Sequence, residues 1–254
     1  MKKIIKSALR SFLRLLGYRI IRLRPNEYGY SLEYDIAKLL EMAKRKADPL
    51  VIFDVGANEG QSVSLFKRIQ PQSLIHTFEP DKTAFAHLQE KTKRYSGVVH
   101  NAFGLGAQKG ESVFYANQQS DISSFLEPTQ LLWGRVEGKQ IVQVDTIDQY
   151  LFQNRIPRVN YLKIDTQGFD LEVLKGAAGA LRDRKIDIIQ MEITIAGIYH
   201  NLPRMDAVLK FLFDLDYGLV AFYDFHSQHA EARWTDALFI SPEFIRKGNP
   251  LSQA

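Results

Sequence analysis

The sequence predicts an α/β protein: a mostly parallel sheet with helices on both faces and its last strand antiparallel. Three observations carry this reading. A short apolar run at 51–55 breaks into glycines and then into a segment of helical period, V-I-F-D-V-G-A-N-E-G-Q followed by Ser62, Val63, Leu65, Phe66 and Ile69. The same order of strand, turn and helix returns at 74–94 and at 160–176. Acids stand where successive strands stop: Asp54, Glu79, Asp165 and Glu192. Open α/β sheets bind ligands outside the carboxyl ends of their strands, so four acids there are more than solvation requires.

Taken in order, residues 1–17 have the period of a basic amphipathic helix. Ile4, Ile5, Leu9, Phe12, Leu13 and Leu16 share one face, Lys3, Lys6, Arg10 and Arg14 the other, and Gly17 supplies a C-cap. Charge interrupts this stretch too often for a membrane span, and it lacks a signal-peptide cleavage site. It has two readings: a helix lying on an anionic membrane surface, or one packed on the domain or a partner chain. Of 33 basic and 29 acidic residues, eight basic and no acidic ones fall in 1–24, leaving 25 basic against 29 acidic. The net charge of +4 therefore belongs to the extension, and no nucleic-acid-binding face is expected on the core. The expected division is a helix and linker at 1–31, one domain at 32–245 and a tail at 246–254, in a cytoplasmic protein, with peripheral contact at the inner membrane surface through 1–24 as one of the two readings of the extension. With no cysteine, disulfides, thiolate catalysis and cysteine-ligated zinc are excluded.

A helix at 33–47 buries Ile36, Leu39 and Leu40 and leads to the strand at 51–55. Helix 61–69 and strand 74–78 complete a β-α-β unit, Asp81 caps a helix running to 94, and 97–100 is the third strand. Strands at 111–115 and 140–144 flank a polar loop at 118–137 carrying Ser120, Asp121, Ser123 and Ser124; loops of that length usually serve function, and a lid or substrate contact is expected, with a mobile surface loop as the alternative. Strand 160–164 ends at Asp165, Gly168 turns the chain into a helix, and strand 186–191 ends at Glu192. Helix 204–214 and strands 217–223 and 237–240 finish the domain; the connection 224–236 has no helical period, so the last two strands pair antiparallel.

The glycine spacing selects among ligands. A dinucleotide fingerprint needs G-x-G-x-x-G, whereas here only Gly56 and Gly60 are present, after Asp54. That form suits a cofactor without phosphate whose amino-acid end carries an ammonium, which fits S-adenosylmethionine; a purely structural turn is the alternative. Glu79 lies near the ~20-residue offset at which an acid meets ribose hydroxyls.

The sequence resembles the FkbM family of S-adenosylmethionine-dependent methyltransferases over about 51–241. The motifs are F-D-V-G-A-N-E-G, F-E-P, N-A-F-G-L-G, L-K-I-D-T-Q-G-F-D-L-E-V-L-K-G-A and D-A-L-F-I. The resemblance implies a Rossmann-like seven-stranded methyltransferase sheet and O-methylation of a sugar or secondary-metabolite hydroxyl. It implies that Asp54, Gly56, Asn58 and Gly60 line the methionine end, Glu79 the ribose and Asn101 the adenine. Gln167 stands where many relatives have Glu, removing one base or metal ligand.

A hydroxyl acceptor must lose its proton, and Asp165, Glu192 and His200 are the candidate bases, with His226 and His229 weaker ones. A divalent ion held by Asp165 and Glu192 is a further option. Two other functions remain: an NAD-dependent oxidoreductase, and a non-catalytic cofactor-fold protein acting as a membrane-surface or assembly module. The acceptor's identity and the oligomeric state are not legible.

Overall fold

The computed structural model describes residues 27–45, 47, 49–228 and 231–244. Helix α1 (Leu32–Lys44) precedes β1 (Val51–Val55), α2 (Gln61–Ile69), β2 (Leu74–Phe78), α3 (Lys82–Thr92) and β3 (Val98–Asn101). Next come β4 (Gly104–Leu105), β5 (Gly110–Asn117), β6 (Val136–Asp145) and α4 (Ile147–Gln153). The chain continues through β7 (Val159–Ile164), α5 (Asp170–Lys175), α6 (Ala178–Arg182), β8 (Ile186–Thr194), α7 (Met205–Phe213), β9 (Gly218–Gln228) and β10 (Glu231–Ile240).

Seven strands form one sheet in the order β3-β2-β1-β7-β8-β10-β9. All pairs from β3 to β8 are parallel, and β10 runs antiparallel between β8 and β9, so the last strand in the chain is the reversed one. β1 is central, and its neighbouring residues serve opposite faces, as the two-residue period of a strand requires. Ile52 joins Ile36, Leu39, Leu40, Val63, Phe66, Leu88 and Tyr161 under α1, α2 and α3. Phe53 joins Leu162, Ile164, Val173, Leu174, Leu181, Val208 and Leu212 under α5, α6 and α7. Each such side chain, fully buried, contributes about 1.5–3 kcal/mol.

Asp81 caps α3 by accepting from the amides of Thr83 (2.9 Å) and Ala84 (2.8 Å), a contact of about 1 kcal/mol. Its other oxygen accepts from Gln140 Nε2 at 2.8 Å, tying the second, three-stranded sheet β4-β6-β5 to the main one.

The structure departs from the sequence reading in three places. β8 runs on through Glu192 to Thr194, so Glu192 lies within a strand. The connection 224–236 is largely strand: β9 and β10 form a hairpin of 11 and 10 residues whose polar, exposed outer portion carries no apolar alternation. Helix α4 was not expected, although Thr146 caps it by accepting from Gln149 N (3.1 Å) and Ile147, Tyr150 and Leu151 bury one side. The N-terminal helix, the tail at 246–254 and His229 lie outside the described residues. No described helix is long and apolar enough to cross a membrane.

Candidate active site at the carboxyl edge of the sheet

The turn after β1 is built by backbone conformations that only small residues tolerate well. Gly56 has φ +75°, and a Cβ there would stand 1.9 Å from the carbonyl oxygen of Asp165. The glycine thus lets the β1 and β7 turns close on each other. Gly60, at φ +89°, serves packing instead: its Cβ would meet Thr92 Cγ2 at 2.7 Å and Leu88 Cδ1 at 2.9 Å, so it seats the start of α2 on α3. The amides of Gly56 and Ala57 both donate to Phe78 O, at 3.0 and 3.2 Å. Glu79 completes the clamp by accepting from Asn58 N and Asp81 N, each at 2.8 Å. Burial pushes the Glu79 carboxyl up to about 7, against the pull of those two amides.

Beside this turn lies a row of carboxylates around one lysine. Asp54 is fully buried, and neither of its oxygens has a hydrogen-bond partner; Lys163 Nζ stands 3.6 Å from Oδ1. Burial raises the Asp54 carboxyl, and the lysine only partly offsets this. Lys163 also donates to Asp165 Oδ2 at 3.0 Å. Burial disfavours its ammonium, but Asp165 and Asp54 outweigh that and hold it protonated. Gln167, at φ +53°, directs Nε2 to Asp165 Oδ1 (3.2 Å) and Glu192 Oε1 (2.9 Å), while its Oε1 accepts from Tyr199 OH at 3.4 Å. Asp170 receives the amides of Thr166 (3.3 Å) and Gly168 (3.0 Å) and is raised to about 7 by burial and then by Asp165. Burial first, then Asp165, Asp170 and Asp236, drive the Glu192 carboxyl strongly upward, so it keeps its proton at neutral pH.

A cavity of about 190 Å³ opens between the two groups, lined by Gly56, Asn58, Glu79, Lys163, Asp165 and Thr166. The 118–137 segment closes its far wall with Ser120, Asp121, Ser123 and Phe125. That segment is docked: Ser124 Oγ donates to Gln167 O (2.8 Å), Tyr115 and Ser124 form a β-bridge, and Phe125 packs on Phe169 (4.7 Å) and Phe114 (5.0 Å). It contains a 3₁₀ turn at Ser120–Ile122.

A profile described as the Methyltransferase FkbM domain matches residues 54–219, more than half of the chain. The chain belongs to the FkbM methyltransferase family. It is 26% identical over 160 residues to the hexuronic acid methyltransferase AglP of Haloferax volcanii, covering 63% of this chain and 62% of that protein. It is 29% identical over 174 residues to Methyltransferase 1 of Beauveria bassiana, covering 62% of this chain and 68% of that one. The chain thus spans about two thirds of the length of these relatives. Among solved structures it is similar to an rRNA methylase from Streptococcus thermophilus, with 10% identity, a TM-score of 0.48 and coverage of 87% of this chain and 99% of that one.

The cavity of this FkbM domain suits the family's cofactor, S-adenosylmethionine. Two of its lining residues present buried polar atoms without partners, Asn58 Oδ1 and Thr166 Oγ1, which a polar ligand would satisfy. A divalent ion between Asp165 and Glu192 does not suit it, because the Gln167 amide donates into the space between the two carboxyls. Among the described residues, no group of three or more His, Asp or Glu is arranged to hold a metal.

The remaining expected site residues of the FkbM domain lie apart from the cavity wall. Asn101 donates to Thr77 O (2.9 Å) and accepts from Tyr150 OH (3.3 Å). His200 is exposed, with its backbone amide bound to Glu127 O (2.8 Å). His226 is stacked on Trp234, with ring centroids 4.8 Å apart. The sequence reading passed over Lys163 and Asp236. A charged residue inside the apolar run Y-L-K-I was the available signal for the first.

Proposed function

We propose that this chain is an S-adenosylmethionine-dependent O-methyltransferase acting on a sugar or glycan hydroxyl, with Asp165 as the base. The observation that carries it is the placing of a half-exposed carboxylate, Asp165, on the wall of the same cavity as the Gly56–Asn58 turn and Glu79. S-adenosylmethionine held there would supply an activated methyl group on a sulfonium. Glu79 fits the ribose hydroxyls, since each of its oxygens retains acceptor capacity after one amide bond. Lys163 and Gln167 fix the Asp165 carboxylate in direction, which favours alignment of the acceptor oxygen. Asp165 would receive the acceptor's proton as the new O–C bond forms and the sulfonium S–C bond breaks, with S-adenosylhomocysteine as the leaving group. Glu192, which holds its own proton, is the poorer base; joined to Gln167, it positions Asp165. The family supports methyl transfer, and the hexuronic acid for which the AglP relative is named supports a sugar acceptor.

The test is incubation with isotopically methyl-labelled S-adenosylmethionine and a panel of mono- and disaccharides, read by mass spectrometry. Label in a saccharide ether, lost in Asp165→Asn, supports the proposal. Label on nitrogen or carbon acceptors alone overturns it.

A further inference from the structure

Both tryptophans of the chain, Trp133 and Trp234, lie in one ring stack. Their centroids are 5.7 Å apart at 36°, and the His226 imidazole lies on Trp234 at 4.8 Å and 16°. Yet Trp133 is 36% exposed and His226 is exposed, so ring surface remains open to solvent beside the apolar Leu131, which is 66% exposed.

The stack is anchored to the active edge through two separate links. In the β8–β10 register Asp236 pairs with Glu192 and Trp234 with Thr194, which puts Trp234 two residues, or about 7 Å, beyond Glu192 along the strands. The Trp133 segment is pinned to the end of β8 by Thr129, whose Oγ1 and N donate to Gly197 O and Ile198 O, both at 2.9 Å. Thr194, whose buried Oγ1 has no partner, stands opposite Trp234 in the register. Flat ring faces beside carboxyl and hydroxyl groups are the chemistry that holds a pyranose. Its C–H face lies on the ring while its hydroxyls bond the polar groups.

We infer that Trp133, backed by Trp234 and His226, forms a saccharide-stacking subsite that holds a further sugar ring of the acceptor, on the Glu192 side of the hydroxyl at Asp165. This rests on the proposed sugar acceptor.

Because both tryptophans are in the stack, tryptophan emission of the full chain reports on it alone. Titration with neutral disaccharides of glucose, galactose, mannose and N-acetylglucosamine is expected to change emission saturably for any that is methylated. Trp133→Ala should raise KM for that disaccharide about tenfold, leaving KM for the monosaccharide, kcat and S-adenosylhomocysteine affinity unchanged, and Trp133→Phe should restore most of it. A methylated disaccharide that leaves emission and the Trp133→Ala KM unchanged overturns the subsite while the acceptor proposal survives. Saturable emission changes without methylation leave saccharide stacking at Trp133 standing and remove the acceptor proposal, and with it the subsite's role toward Asp165. Emission that responds to anionic vesicles and to no saccharide overturns the subsite in favour of a surface contact.

Discussion

On the β1–β2 side of the active edge, polar groups are held by main-chain amides: Glu79 by Asn58 N and Asp81 N, and the turn by Phe78 O. On the β7–β8–β10 side, side chains hold one another, as in the contacts of Lys163, Asp165, Gln167 and Glu192. Main-chain clamps preserve one geometry for a constant cofactor. Side-chain networks can be retuned by single substitutions, which suits the half proposed to match an acceptor.

The seam between the halves is the most sensitive place to break the comparison. Gly56→Ala forces a Cβ against the Asp165 carbonyl and strains a positive φ, so a loss of at least about 3 kcal/mol in denaturant unfolding is expected, with both halves failing together. Asp165→Asn should separate them: methyl transfer falls about 10²–10⁴-fold while S-adenosylhomocysteine affinity, by calorimetry, stays within about threefold.

Glu79 sharpens the contrast through pH. Its carboxyl, raised from 4.5 to about 7, accepts from amides and ribose hydroxyls fully only when ionised. Cofactor affinity should therefore rise from about pH 6 to about pH 8. Glu79→Gln should flatten that profile and lower affinity about tenfold. For folding the sign is opposite. A raised carboxyl contributes stability that is fully present below its unfolded value and lost as pH rises through about 7, and Asp170 acts in the same direction. The smallest effect is expected at His200, exposed and off the cavity wall, where His200→Ala should leave turnover within about twofold.

The same contrast explains what was legible in the sequence. The cofactor half follows from contiguous residues, V-I-F-D-V-G-A-N-E-G and F-E-P, whose spacing already carries the turn. The acceptor half joins residues from 163 to 236, and nothing local marks Asp236 as the register partner of Glu192. Asp165 could be read because it ends its strand; Glu192 was misplaced at a strand end because Glu192 interrupts the apolar run that continues in Ile193. The docking of the 118–137 segment on Gln167 depends on contacts more than 40 residues apart, which no periodicity reveals. The β9–β10 hairpin was shortened for a related reason: its outer residues face water and lack the apolar signature of a strand.

The most direct measurement is a calorimetric titration of the purified chain with S-adenosylmethionine, and separately with NAD, alongside Glu79→Ala. Saturable binding of S-adenosylmethionine alone, near one equivalent per chain and weakened in the variant, is the predicted result. Absence of S-adenosylmethionine binding by the folded wild-type chain would contradict the account and leave a non-catalytic role for the fold.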